Sequence, residues 1–507
     1  MFNKKILCLG SNSPDTDSRV SAMSRRDFTK NHGLVSSGDF VPDKTGYYHT
    51  SILDLSFGDI VKISKWFDTV TLLDQSKEIW PHWKPLLSSY KVMLELEKLN
   101  LTTVYKDNNN IKQYVEFFEQ LKNNKSFCIY PWITLTEERG HLITCARGHD
   151  NITTFEKLDD WRTDPDFAKI RNKMLKGELL ETNCNYCYEY EKKNIESYRQ
   201  FETKEWIAKL DIKSFNDLNQ IDQPYYYEIR LSNKCNLMCR SCKPEHSHLI
   251  DKEFKKFNII YPLKQTFQYS KLDRIRIKTL NENTRVYLTG GEPTIISDVL
   301  RFMEQCIAAG KTDFDFTLGT NAASISNKFL ELANNFTNLN FSVSLDGFGK
   351  INDYWRWGSN WNTVIANTKL LESYGHNISI NCVPGLYNIT NLHLLFEFLD
   401  ESFPHAGIYL QVNHIGFQSA YNHPNHDMVL DSLEKCKKTK MYFTDGKSNK
   451  TSIDSLYEYY SDSPQCDLVA LKKFFIYNDQ LDKARNSQLG DYIPELEECR
   501  KLIWGIS

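Results

Sequence analysis

Three cysteines share one short segment of the chain, at Cys235, Cys239 and Cys242 in the run Cys-Asn-Leu-Met-Cys-Arg-Ser-Cys. They supply three thiolates, one fewer than the four cysteine ligands that a [4Fe-4S] cluster normally takes. A loop with three cysteines therefore leaves one iron of such a cluster open to a group that is not protein. The spacing predicts a metal site with one open coordination position.

A glycine turn follows downstream, in the run Val-Tyr-Leu-Thr-Gly-Gly-Glu-Pro at 286–293. The apolar half of this run predicts a short buried strand, and Gly290, Gly291, Glu292 and Pro293 predict the turn that ends it. Alone, a pair of glycines is as typical of a plain strand-to-helix turn as of a binding site. Its position downstream of the cysteine segment favours a binding site over a plain turn.

The elements that must position these residues form a repeating pattern over 224–420, in which apolar strands alternate with polar loops and amphipathic helices. This alternation is typical of parallel α/β folds. The predicted strands are 225–231, 286–288, 314–318, 341–343, 378–382 and 408–412. The predicted helices between them are 299–308, 327–334, 361–374 and 392–399. Six such units predict an open, partial (β/α)6 barrel.

Polar motifs follow the first four predicted strands. The cysteine segment follows the first, the glycine turn the second, Thr320-Asn321 the third, and the run Ser-Leu-Asp-Gly at 344–347 the fourth. In parallel barrels the chemistry lies at the carboxyl ends of the strands. We therefore expect these motifs to share one edge of the sheet.

The C-x3-C-x2-C spacing and the Gly-Gly-Glu-Pro turn together resemble the motifs of radical S-adenosylmethionine (SAM) enzymes. The resemblance implies that the three thiolates bind a [4Fe-4S] cluster and that the amino and carboxylate groups of SAM bind the remaining iron. It also implies that Glu292 accepts a hydrogen bond from the SAM ammonium group and that Arg356 pairs with the carboxylate. Ser344 and Asp346 would lie near the ribose. The residues so assigned to SAM are Gly290, Gly291, Glu292, Pro293, Asn321, Ser344, Asp346 and Arg356.

The reaction implied by the resemblance begins with a one-electron donor of the flavodoxin or ferredoxin type. SAM is cleaved to methionine and a 5′-deoxyadenosyl radical, which abstracts hydrogen from a substrate. Analogy favours a peptide or protein as the substrate, and a small metabolite or nucleotide is the alternative. The sequence identifies no catalytic acid or base.

A second set of cysteines lies upstream, at Cys128, Cys145, Cys184 and Cys187. Alternating residues at 132–135 and 141–144 predict a β-hairpin that would bring Cys128 close to Cys145. A helix that begins at Asp164-Pro165 and ends near Gly177 would deliver the other two cysteines, on a C-x2-C turn, back to the hairpin. Four thiolates suit either tetrahedral zinc or an iron-sulfur cluster, and spacing alone favours zinc.

The wider run is similar to the SPASM/twitch module that accompanies many radical SAM enzymes. It extends from Phe-Cys-Ile-Tyr-Pro-Trp at 127–132, through Ile170-Arg171 and Gly177-Glu178, to Cys-Asn-Tyr-Cys at 184–187. This resemblance implies a second, auxiliary [4Fe-4S] cluster. The module precedes the barrel here, whereas in the family it normally follows it.

A chain of 507 residues predicts about three domains. We assign 1–110 to a small N-terminal α/β domain, with strands at 5–10 and 70–75 and a helix at 59–67. We assign 111–200 to the cysteine-rich module, 224–420 to the barrel and 421–507 to a C-terminal helical extension.

Composition narrows the possible partners. A net charge of −3 gives no basis for a polyanionic partner, so we expect no nucleic acid, and the apolar run at 6–9 is too short for a membrane span. Thirteen cysteines without a secretory signal favour the reducing cytoplasm. A competing hypothesis is a non-catalytic zinc-binding scaffold, although Cys242 has no neighbouring fourth cysteine to complete such a site.

Overall fold

The computed structural model describes four short strands within residues 1–116 and most of residues 117–505, without 119, 139–140, 146–152, 155–161, 193–196, 260–271, 413–416, 445 and 464–465. Two compact units divide the chain. The first comprises Met1–Ile133, Arg147–Asp150 and Asp160–Asp222. The second comprises Thr134–Ala146, Asn151–Asp159 and Gln223–Ser507, and it contains both the three-cysteine loop and the glycine turn.

The first unit contains a four-stranded sheet with the order β2-β3-β1-β4. Its strands are β1 (Ile6–Leu9), β2 (Val41–Pro42), β3 (Tyr47–Thr50) and β4 (Thr69–Leu72). Strand β1 pairs in parallel with β3 and β4, and β2 pairs antiparallel with β3. The predicted strands at 5–10 and 70–75 are confirmed as β1 and β4, whereas the predicted helix at 59–67 lies outside the described residues.

The described part of the first unit includes the helices α1 (Tyr130–Ile133), α2 (Pro165–Leu175), α3 (Glu181–Lys192) and α4 (Tyr198–Lys209). Helix α2 has the predicted signature. The Asp164 side chain accepts hydrogen bonds from the backbone N–H groups of residues 166 and 167, and Pro165 occupies the first turn. Gly177 follows its end with a φ of +72°, a conformation that glycine adopts readily.

The second unit contains a nine-stranded sheet with the order β13-β12-β11-β10-β9-β8-β5-β6-β7. The strands are β5 (Thr134–Glu138), β6 (His141–Ile143), β7 (Thr153–Thr154), β8 (Tyr226–Arg230), β9 (Arg285–Thr289), β10 (Asp315–Thr320), β11 (Leu339–Ser344), β12 (Asn377–Cys382) and β13 (Gly407–Leu410). Strands β8 to β13 are parallel neighbours in chain order. They confirm the six predicted strands and the α/β class.

The predicted hairpin is confirmed as β5 and β6, which pair antiparallel. Strand β5 also pairs in parallel with β8, a contact that the sequence did not indicate. The hairpin therefore extends the large sheet beyond its first predicted strand.

The helices of the second unit are α5 (His248–Phe257), α6 (Ser297–Ala308), α7 (Asn327–Ala333), α8 (Lys350–Trp355), α9 (Trp361–Ser373), α10 (Leu392–Ser402), α11 (His426–Lys437), α12 (Met441–Thr444), α13 (Gly446–Ser461), α14 (Leu468–Arg485), α15 (Leu489–Tyr492) and α16 (Pro494–Trp504). The four predicted helices are confirmed as α6, α7, α9 and α10. None of the helices in the described residues is long and apolar enough to cross a membrane.

One face of the large sheet forms the core of the second unit. Buried apolar residues alternate with half-buried, mostly polar ones along β9 to β12. The apolar face packs against helices: Phe302 of α6 contacts Phe316, with ring centroids 5.9 Å apart, and Phe329 of α7 contacts Phe341 at 6.0 Å.

The other face of the sheet carries half-buried, mostly polar side chains. Tyr287 of β9 lies on this face, and burial followed by the Glu228 charge raises the pKa of its hydroxyl.

Candidate metal and cofactor site

The three-cysteine loop lies between β8 and α5. The Cys235 backbone N–H donates to Nδ1 of His248 at 3.3 Å, and the Ser247 hydroxyl donates to the Leu237 carbonyl at 2.8 Å. Further along, the Met238 N–H donates to the Trp357 carbonyl at 2.8 Å. The start of α5 and the segment after α8 thus fix the loop from two sides.

The glycine turn after β9 packs directly against this loop. Gly291 has a φ of +61°, and a Cβ atom built on it would lie 2.3 Å from the Lys234 carbonyl oxygen and 2.9 Å from that of Ser232. The Glu292 N–H donates to the same Lys234 carbonyl at 2.8 Å. Only glycine fits this position, and the space that it leaves is occupied by the cysteine loop. Contact of the turn with SAM stays a prediction.

Glu292 is buried, with 1% of its surface exposed. Its Oε1 accepts from the Thr294 hydroxyl at 2.8 Å and from the Thr320 hydroxyl at 2.7 Å, while Oε2 accepts from the Asn321 N–H at 2.6 Å. Burial raises the pKa of this carboxyl, and these hydrogen bonds oppose the rise. Glu292 thereby ties the glycine turn to the end of β10.

Asn321 extends this connection back to the cysteine loop. Its Nδ2 donates to Oδ1 of Asn236 at 2.8 Å and lies 3.9 Å from the Cys235 sulfur. The ends of β8, β9 and β10 are thus joined by direct contacts, as expected for motifs that share one edge of a sheet.

Asp346, after β11, forms a buried ion pair with Arg356. The Arg356 Nη2 lies 2.7 Å from Oδ2 of Asp346, whose Oδ1 accepts from the Val383 N–H at 2.9 Å. Burial raises the pKa of Asp346, and the Arg356 charge opposes the rise. The sequence assigned both residues to SAM separately and missed that they pair with each other. Ser344 and Pro293 occupy the predicted edge, Ser344 as the last residue of β11 and Pro293 in a short 3-10 turn after β9.

Arg356 also lies beside the cysteine loop. Burial lowers its pKa, but the charges of Asp346, Cys239 and Cys242 raise it, and the net shift is upward. Among the described residues its Nε has no hydrogen-bond partner. Arg356 therefore has one donor available for a further anion near the thiols.

The three thiols lie in one part of the site, where Cys235 is buried and Cys239 and Cys242 are half-buried. Burial raises the pKa of Cys235 to about 12, and the Cys239 charge adds to the rise. Burial also raises the pKa of Cys242, as do the charges of Cys239 and Cys235. The thiols are thus close enough to affect one another, and thiolate ligands suit an iron-sulfur cluster.

The described residues contain no group of three or more His, Cys, Asp or Glu side chains arranged to hold a metal ion. The three thiolates of the loop are chemically suitable ligands for a cluster. Their side chains, however, are not arranged around a common metal position. Ligation requires the three thiols to turn towards a common point.

The second cysteine set divides between the two units. Cys128, Cys184 and Cys187 belong to the first unit and Cys145 to the second, so their joint site stays a prediction. The expected C-x2-C turn is wrong, because Cys184 and Cys187 lie within helix α3. Residues three apart share a helix face, and burial followed by the Cys187 charge raises the pKa of Cys184 to about 11.

Comparison with known proteins gave no matching family model and no matching curated protein. Solved structures that the chain matches include Streptococcus suis SuiB bound to the precursor peptide SuiA, at 17% identity and a TM-score of 0.29, with 65% of this chain and 64% of that chain covered. SuiB bound to S-adenosylmethionine matches at 17% identity and 0.33, with 54% and 62% covered. The structure of anSMEcpe with bound AdoMet matches at 16% identity and 0.30, with 41% and 57% covered.

The chain spans less than two thirds of each of these three structures. Two of these structures contain S-adenosylmethionine, the cofactor that the sequence motifs imply. TM-scores near 0.3 describe a weak likeness. The function proposed below is therefore argued from the residues of the site.

Proposed function

We propose that this chain is a radical SAM enzyme that cleaves SAM reductively to a 5′-deoxyadenosyl radical and abstracts hydrogen from a peptide or protein substrate. One observation carries the proposal. The three-cysteine loop, the glycine turn and Asn321 contact one another at the ends of neighbouring parallel strands, and the Asp346–Arg356 pair lies beside the same thiols. A solitary glycine turn or a structural zinc loop does not require this combination.

Cys235, Cys239 and Cys242 would hold a [4Fe-4S] cluster with one iron left for SAM. When bound and reduced by one electron, such a cluster supplies homolytic cleavage of the SAM sulfonium. The chain's own part is to orient SAM and exclude water. The nearby Arg356 charge supports a site that holds an anionic cluster.

Two side chains have hydrogen-bonding capacity suited to the two ends of the SAM amino acid group. Oε2 of Glu292 accepts from the Asn321 N–H and, as a carboxylate oxygen, has a second lone pair for an ammonium donor. The Nε of Arg356 can donate to a carboxylate while Nη2 stays with Asp346. Ser344 at the end of β11 is the candidate for the ribose.

The partial barrel and the auxiliary cluster module belong to the same proposal. Six parallel strands in chain order support a partial barrel that encloses the substrate on its polar face. Residues 111–200 would form a twitch-like module in which Cys128, Cys145, Cys184 and Cys187 hold an auxiliary [4Fe-4S] cluster. We further propose a cytoplasmic location and a flavodoxin or ferredoxin as electron donor.

The test is the metal content of anaerobically purified protein, measured together with its visible spectrum. Two clusters give about eight irons per chain and a brown colour. The Cys239→Ala variant should lose about four irons, whereas Cys306→Ala, a buried cysteine of α6 outside the site, should lose none. A colourless protein that contains zinc would overturn the proposal and favour the scaffold.

The substrate class has a separate test. Small candidate peptides are co-expressed with the enzyme and analysed by mass spectrometry, and a mass change that disappears in Cys239→Ala supports a peptide substrate. Turnover of free metabolites or nucleotides alone would refute the peptide assignment and leave the cluster assignment intact.

A further inference from the structure

A buried arginine lies inside the three-cysteine motif. Arg240, which follows Cys239 directly, has 0% of its surface exposed. Arginine is almost never fully buried unless its charge is paired. The partners of Arg240 therefore identify what fixes this part of the loop.

Those partners come largely from helix α14 of the C-terminal extension. The Arg240 Nη2 donates to Oδ1 of Asp482 at 2.5 Å and to the Ser487 hydroxyl at 3.0 Å, and Nη1 donates to Oδ1 of Asn478 at 2.9 Å. The remaining side-chain nitrogen, Nε, donates to the Tyr354 carbonyl at 2.9 Å. The charge is thus paired with a carboxylate that is more than 200 residues away in sequence.

The partners are themselves held in place. The Tyr387 hydroxyl donates to Asn478 at 3.0 Å, and the Tyr354 hydroxyl donates to Asp482 at 3.0 Å. The Arg240 guanidinium lies 3.5 Å from the centroid of the Tyr354 ring. A buried network in which each polar group is satisfied is rigid, because breaking one hydrogen bond leaves another group without a partner.

The backbone of the loop is fixed at the same residue. The Arg240 carbonyl accepts from Nε2 of Gln418 at 3.0 Å and from the hydroxyl of Tyr477, on α14, at 3.1 Å. Its N–H donates to the Trp355 carbonyl at 2.7 Å. Side chain and main chain between Cys239 and Cys242 are therefore both anchored.

Helix α14 also brings a second arginine towards the loop. The Arg485 side chain is 2% exposed, and its Nε and Nη2 donate to both oxygens of Glu253 at 2.9 and 2.7 Å. Its Nη1 is buried and has no hydrogen-bond partner among the described residues. The Arg485 guanidinium lies 5.7 Å from the centroid of the Trp357 ring. The Trp357 carbonyl in turn accepts a hydrogen bond from the Met238 N–H of the loop.

We infer that helix α14 is a positioning element of the three-cysteine loop. Asp482 and Asn478 fix Arg240 and with it the backbone that carries Cys239 and Cys242, and Arg485 places a second guanidinium next to the loop. The inference rests on the proposed function, because it assigns the loop to a cluster. It gives the C-terminal extension a role that the family motifs do not include.

The experiment compares Asp482→Asn with Asp479→Asn. The first removes the charge that pairs with Arg240 at little change in shape, whereas Asp479 lies on the same helix and contacts Arg500 at 3.3 Å. Both variants and the wild type are reconstituted anaerobically. The readouts are the electron paramagnetic resonance (EPR) spectrum of the reduced cluster, its change on addition of SAM, and kcat and KM for 5′-deoxyadenosine formation.

We expect Asp482→Asn to alter the EPR response to SAM and to lose roughly 10–100-fold in iron affinity or kcat/KM, as is typical for partners of metal ligands. Asp479→Asn should match the wild type. If Asp482→Asn does not fold, the double variant Arg240→Met with Asp482→Leu replaces the pair by apolar residues, which buried pairs often tolerate. It should show the same spectroscopic change while circular dichroism shows that it folds.

Two outcomes contradict the inference, and they are distinguishable. If the folded variants keep the wild-type EPR response to SAM and the wild-type KM, the positioning role of α14 is overturned and the proposed function is not. A wild-type protein that takes up no iron overturns the proposed function and this inference with it.

Discussion

Replacement of Gly291 by alanine tests the contact that joins the glycine turn to the cysteine loop. The new Cβ would lie 2.3 Å from the Lys234 carbonyl oxygen, and the residue would keep a φ of +61°. A non-glycine residue in this left-handed conformation costs about 1–2 kcal/mol. Forcing an extra atom into packed structure adds about 1–3 kcal/mol. We expect Gly291→Ala to lower the free energy of unfolding by about 2–5 kcal/mol and to displace the loop.

Gly310 provides a matched control. It has a φ of +64°, but a Cβ atom there would have no neighbour within 4 Å, so Gly310→Ala carries the conformational cost alone, about 1–2 kcal/mol. Urea unfolding of both variants measures the difference, and iron content after anaerobic reconstitution measures the effect on the loop. Equal destabilisation by both variants, or full iron uptake by Gly291→Ala, would refute the argument that the turn positions the cysteines.

Three further predictions concern charged groups and metal. Asp346→Asn leaves Arg356 without its buried partner, so we expect the free energy of unfolding, measured by thermal unfolding, to fall by about 3–5 kcal/mol. Asp315→Asn breaks the more exposed pair with Arg285 and should lower it by about 1 kcal/mol or less. Burial lowers the pKa of His423 to about 4 from 6.5, so the unfolded chain binds a proton that the folded chain does not, and stability should fall by about 3 kcal/mol as pH drops from about 6.5 to about 4. His423→Asn keeps an acceptor for the Asn425 N–H and should flatten that part of the pH profile of urea unfolding. An unchanged profile would show that His423 is not the source of this pH dependence. Cys184→Ser should remove about four of about eight irons, and a variant that retains them all would exclude Cys184 as a ligand of an auxiliary cluster.

The strands of the large sheet could be predicted because their apolar runs are short and separated by turn residues. Parallel strands in chain order then place every following motif at one edge, which is why the cysteine loop, the glycine turn and Asn321 were expected together. The pairing of β5 with β8 could not be predicted, since alternation in a strand indicates a buried face but not its neighbour.

The polar contacts of the site were less predictable. Asp346 and Arg356 were each identified by resemblance, but only the fold brings the carboxylate and guanidinium together. The buried position of Arg240 could not be predicted, because an arginine between two cysteines is normally expected at the surface. Its pairing with Asp482 could not be predicted either, because the two residues are distant in sequence. Cys184 and Cys187 were expected on a turn, but the surrounding residues continue helix α3 through both.

The most direct test of reductive SAM cleavage is incubation of the reconstituted protein with SAM and dithionite, followed by chromatography for 5′-deoxyadenosine. We expect the wild type and Cys306→Ala to form 5′-deoxyadenosine, whereas Cys235→Ala, Cys239→Ala and Cys242→Ala should form none. Iron-loaded wild-type protein that binds SAM and forms no 5′-deoxyadenosine would contradict it.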